Sequence, residues 1–84
     1  MGKWEKLLDQ ILRGTNDAAI PFEDLCKLLT RIGFEKRTKG SHNVFGKAGI
    51  PEKPNLQRSG THAKPYQVRQ IRAIILKHGL GDQL

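Results

Sequence analysis

Eighty-four residues and 9.5 kDa leave room for one small domain and exclude a second core or a large cofactor fold. Hydrophobic residues at 37% and five aromatics exclude wholesale disorder, and the single Cys26 excludes a disulfide framework or a multi-cysteine zinc module. The formal charge of +7 is uneven: residues 1–32 are neutral, residues 33–78 carry +8, and Asp82 follows.

Trp4, Leu7, Leu8, Ile11 and Leu12 recur at the spacing of one helical face, and Gly14 stops the run. The sequence therefore predicts an amphipathic helix within residues 1–14, then a polar connector over Thr15 to Ala19. Pro21 stands at a first helical turn, Phe22, Leu25, Cys26, Leu28, Leu29 and Ile32 form a broad buried stripe, and Gly33 supplies the left-handed end. From Phe34 the period changes. Phe34 to Lys39 and His42 to Lys47 predict two strands of a hairpin around Gly40 and Ser41, and Asn55 to Arg58 a third strand. Pro65 opens a last helix with Val68, Ile71, Ile74 and Ile75 on its buried side, Arg69, Arg72 and Lys77 on its wet side, and Gly79 at its end.

These elements amount to an α+β fold in one domain, residues 1–84: an extra N-terminal helix over 1–14, then an αβββα core over 20–80. A three-stranded antiparallel sheet with its helices on one face is expected. The same order describes double-stranded RNA-binding domains, so the core is dsRBD-like. No apolar run is long enough to cross a bilayer, the first residues lack a signal-peptide core, and one buried thiol suits a reducing compartment. A cytoplasmic location is the expectation.

The basic segment suggests a surface for polyanions, with nucleic acid the commonest. Within it, His42 follows a tight turn and lies a few residues from Lys36, Arg37 and Lys39. Cleaving RNA without a metal requires a group to take the 2′-hydroxyl proton, a group to protonate the leaving oxygen and fixed positive charge at the phosphorane. Histidine serves either proton role near neutral pH. Arg37 and Lys39 supply charge, Gly40 lets backbone approach a phosphate, and Ser41 offers a donor. Lys36 and Lys47 complete the expected RNA-binding set, and His62, in the loop before the last helix, is a possible second proton-transfer group. Taken alone, His42 also fits an exposed strand-end histidine without a task. His78, in the last helical turn, reads as a cation favoured by the helix dipole. The three histidines and Cys26 match no chelating pattern, and no cofactor is expected.

In order, Phe22, Leu25, Leu29, Gly33 and Phe34, then Arg37, Lys39, Gly40, Ser41, His42 and Phe45, then the basic helix from Pro65 to Leu80, resemble the HicA toxin family of bacterial toxin–antitoxin pairs. The resemblance spans most of the chain. It implies an mRNA interferase, a metal-independent endoribonuclease that inhibits translation under stress, with His42 as the catalytic histidine. It also implies a HicB-like antitoxin that covers the site, with the toxin a monomer when free and part of a hetero-oligomer when neutralised. Asn43 stands where many members carry a second histidine or a basic residue. A non-catalytic RNA-binding module and a protein-interaction subunit with a basic face fit the same residues.

Overall fold

The computed structural model describes residues 2–84. The chain runs through helix α1 (Lys3–Arg13), a 3₁₀ turn (Asp17–Ala19) and helix α2 (Phe22–Ile32). Strands β1 (Glu35–Lys39), β2 (His42–Gly46) and β3 (Asn55–Gln57) follow, then helix α3 (Pro65–His78) and a second 3₁₀ turn (Leu80–Asp82). The strands form one antiparallel sheet in the order β1-β2-β3. The αβββα order with an additional N-terminal helix is therefore the architecture. Among the described residues, no helix is long and apolar enough to cross a membrane.

Helix ends follow from glycine. Gly14 (φ 68°) donates its N–H to the Gln10 carbonyl and ends α1. At Gly33 (φ 118°) the N–H of Gly33 bonds the Thr30 carbonyl while that of Phe34 bonds the Leu29 carbonyl, a Schellman arrangement. That closure buries the Phe34 side chain and delays the strand by one residue, so β1 begins at Glu35. Pro21 is likewise one residue outside α2, as its N-cap.

Phe45 and Leu56 project from β2 and β3 into a core completed by the stripes of α1, α2 and α3. Burial of these side chains against one sheet face, at about 25 cal/mol per Å² of apolar area, is the main stabilising contribution. Asn43, on the same face as Phe45, knits all three strands: its Oδ1 accepts from Thr38 Oγ1 at 3.0 Å on β1, and its Nδ2 donates to the Leu56 carbonyl at 3.3 Å on β3. β1 is an edge strand, and all five of its residues are exposed.

Two expectations about charged residues are corrected. Arg72 does not lie on the wet side of α3. Its guanidinium forms a bidentate pair with Asp17 at 2.9 and 3.2 Å and donates to the Ile11 carbonyl at 3.0 Å. It thereby satisfies a C-terminal carbonyl of α1 and orders the connector into a 3₁₀ turn. Gly14 has a second reason to be glycine here, since a Cβ would stand 2.9 Å from Arg72 Nη1. His78 is more than a dipole partner: its Nε2 lies 2.8 Å from Glu52 Oε1, while Lys77 Nζ lies 2.8 Å from Glu52 Oε2. These two bonds hold the Glu52 carboxyl down to about 2 and fasten the β2–β3 connection to the end of α3.

Candidate nucleic-acid interface

Strand alternation decides which side chains share a face. Phe45 is buried, so Asn43 and Phe45 point to the helices while His42, Val44 and Gly46 belong to the opposite, open face. The register pairs Lys39 with His42, Arg37 with Val44 and Glu35 with Gly46 on one side, and His42 with Gln57 and Val44 with Asn55 on the other. His42 is thus exposed at the centre of a row, with Lys39 and Gln57 as its cross-strand neighbours and Arg37 next along β1.

The turn that delivers His42 is a two-residue loop, Gly40–Ser41, with positive φ at Gly40 (62°), and among the described residues positive φ occurs only at glycine. Glycine first and a negative φ second are the signs of a type II′ hairpin, whose twist matches that of the strands. A Cβ at Gly40 would meet nothing within 4 Å, so the requirement is purely conformational and the backbone there is open to approach. Ser41 Oγ is reached by Gln57 Nε2 at 3.5 Å, linking the turn to β3.

Gln57 is held in turn from below. The buried Gln67 of α3 donates its Nε2 to the Gln57 carbonyl at 3.3 Å, and its Oε1 accepts from the Lys64 N–H at 3.4 Å. Gln57 and Gln67 escape a reading of the sequence because each acts through a partner at least ten residues away. A polar residue inside the apolar stripe of α3 was the one available signal for Gln67.

The expected set divides. His42, Arg37, Lys39, Gly40 and Ser41 come together at the turn end of the open face. Lys47 lies beyond Gly46 at the other end, its ammonium close over Gly33. Lys36 does not join them: it alternates to the helix side, where its ammonium acts on the Cys26 thiol. Burial pushes that thiol up, and Lys36 partly offsets the rise. His62 does not join them either. The Thr61 carbonyl and Ala63 N–H bond Phe22 and Ile20, so this loop is strapped to the start of α2, and His62 Nδ1 lies 2.8 Å from Thr61 Oγ1. Among the described residues no hydrogen bond joins His62 to His42.

A second feature of the face is a groove of about 660 Å³ at the Gly46 end, lined by Glu35, Arg37, Val44, Gly46, Lys47 and Lys53 among others. Among the described residues, none of Arg37, Lys39, Lys47 and Lys53 forms an ion pair, and Glu35 is the lone carboxylate of the face. Among the described residues no aromatic ring lies on it, because Phe34 and Phe45 are buried and Trp4, Phe22 and Tyr66 belong to helices. Among the described residues, no group of three or more His, Cys, Asp or Glu side chains is placed to hold a metal ion.

Comparison with known proteins gives no matching family model, no matching curated protein and no matching solved structure.

Proposed function

We propose that this chain is a HicA-like mRNA interferase, a metal-independent endoribonuclease that cleaves mRNA on the open face of the sheet and so inhibits translation. The observation that carries the reading is an exposed imidazole, His42, on a helix-free sheet face, flanked by Lys39 and Gln57 with Arg37 beside it. His42 accepts the proton of the ribose 2′-hydroxyl as that oxygen attacks the adjacent phosphorus. The P–O5′ bond breaks, and the leaving oxygen takes a proton from Lys39, the register partner of His42, or from water. Arg37 and Lys39 offset the charge gathered on the non-bridging oxygens. The products are a 2′,3′-cyclic phosphate and a 5′-hydroxyl.

With no aromatic platform on the face, binding is led by phosphates, so it weakens steeply with salt and selects little among bases. A HicB-like antitoxin that neutralises the toxin would cover these same cations with acidic side chains.

The test is cleavage of a labelled mRNA by the wild-type chain and by His42→Ala. The variant is expected to lose about 10²- to 10⁴-fold in rate, the usual worth of a positioned proton-transfer group, with its melting temperature and RNA affinity retained. Undiminished cleavage by His42→Ala overturns the assignment. One observation favours a second reading, a non-catalytic RNA-binding module: no second imidazole or carboxylate adjoins His42 in the register. That reading expects salt-dependent binding and no cyclic phosphate ends at any pH.

A further inference from the structure

We infer that the groove at the Gly46 end of the open face is a second phosphate subsite, held by Lys47 and Lys53, so that the ligand of this face is an extended single strand of RNA. The inference rests on the reading of the open face as an RNA surface and adds the length of strand it takes.

Three observations carry it. The first is separation. His42 and Gly46 stand four residues apart on β2, about 13 Å at roughly 3.3–3.4 Å per residue, too far for one phosphodiester to touch both ends. The second is the state of the cations. Lys39 and Arg37 lead along β1 from the turn towards Lys47 and Lys53, and among the described residues none of the four is neutralised by a carboxylate.

The third is the shape of the groove. A Cβ at Gly46 would meet nothing within 4 Å, so backbone forms an unobstructed floor, and Gly33 is bare where Lys47 folds in. A side chain at 33 would displace that lysine, since its Cβ would stand within 2.6 Å of the ammonium nitrogen. Glu35, across the groove on β1, repels a phosphate from its own side. The strand's phosphate is therefore directed to Lys47 and Lys53, and a hydroxyl or an exocyclic amino group fits beside Glu35.

The experiment uses the full chain carrying His42→Ala, which keeps RNA intact, and ladders of oligouridylate and oligoadenylate of increasing length, read by fluorescence anisotropy at several salt concentrations. A step up in affinity is expected once the strand spans from residue 42 to the groove. Adding Lys47→Gln and Lys53→Gln is expected to erase that step and flatten the salt slope for long strands by about 0.7, the share of one phosphate, while the shortest strands bind as before. Lys6→Gln with Lys27→Gln removes the same charge from the exposed faces of α1 and α2 and is expected to leave the step in place.

A step that survives the Lys47 and Lys53 changes overturns the inference. So does a step lost equally in the Lys6 and Lys27 control, which would make it an effect of net charge. If the wild-type chain leaves RNA uncleaved while the step persists, the nuclease reading falls and the subsite stands. Absence of RNA binding at every length, with stoichiometric binding of an acidic protein instead, overturns both.

Discussion

On the helical side of the molecule Arg58, Arg72 and Lys77 each meet a carboxylate, whereas on the open sheet face Arg37, Lys39, Lys47 and Lys53 meet none among the described residues. All seven cations come from the same strongly basic stretch of sequence, yet they serve opposite ends. The paired ones hold elements in place: Arg72 joins α3 to α1 and the connector, Lys77 fastens a loop, and Arg58 bonds Glu23 while lying over the Phe22 ring. The unpaired ones leave their charge available to a polyanion. Net charge along a chain thus marks where cations are, and only their partners show which of them are free to bind.

The comparison is broken most readily at Arg72. Replacing it with methionine leaves a part-buried Asp17 without its partner and should cost roughly 2–4 kcal/mol of stability in urea unfolding. RNA affinity of the folded fraction should be unchanged. The converse change, Arg37→Gln with Lys39→Gln, should leave the unfolding free energy within about 0.5 kcal/mol of wild type, as for surface substitutions generally. It should lower the salt slope of RNA binding by about 0.7, the share of the one phosphate they hold. If the two variants exchanged these effects, the division between structural and binding cations would be wrong.

A smaller effect sharpens the structural side through pH. The folded Glu52 carboxyl lies at about 2, below its ordinary 4.5, because Lys77 and then His78 bond it. A depressed carboxyl contributes stability that is present above its unfolded value and lost as pH falls through its folded value. Wild type and Glu52→Gln should therefore differ in melting temperature at neutral pH, approach one another below pH 4.5 and coincide near pH 2. A gap that stays constant down to the lowest pH would show that charge at Glu52 is not what fastens the loop.

Much of the scaffold was legible because it is written in local signals. Apolar spacing marks α1, α2 and α3, and Gly14, Gly33 and Gly79 stand at their left-handed ends. Gly40 and Ser41 give the hairpin, and with it the position of His42. The sequence predicts a third strand to Arg58, whereas β3 ends at Gln57 because Arg58 leaves the sheet to join Glu23 on α2.

The allocation of cations was not legible, for two physical reasons. Glu35 to Lys39 has no buried residue and hence no alternation to show which way each side chain faces. Only pairing with β2, anchored by Phe45, puts Arg37 and Lys39 beside His42 and sends Lys36 to the other side. The second reason is distance along the chain. Helical periodicity gives Arg72 to solvent, and its Asp17 partner, 55 residues earlier, belongs to a segment that reads as a simple connector. Asn43 differs from the residues usual at its place in the resembled family, but nothing beside it along the chain shows that its amide ties three strands.

The rims of the sheet carry a last consequence. One is β1, with lysine and arginine along a wholly exposed edge, and the other is β3, three residues long. Charge on the first repels an identical strand from a second molecule, and brevity on the second offers too few backbone groups to template one. Growth of the sheet from copy to copy is therefore discouraged at both sides, and the broad face stays the one open surface the sheet presents among the described residues.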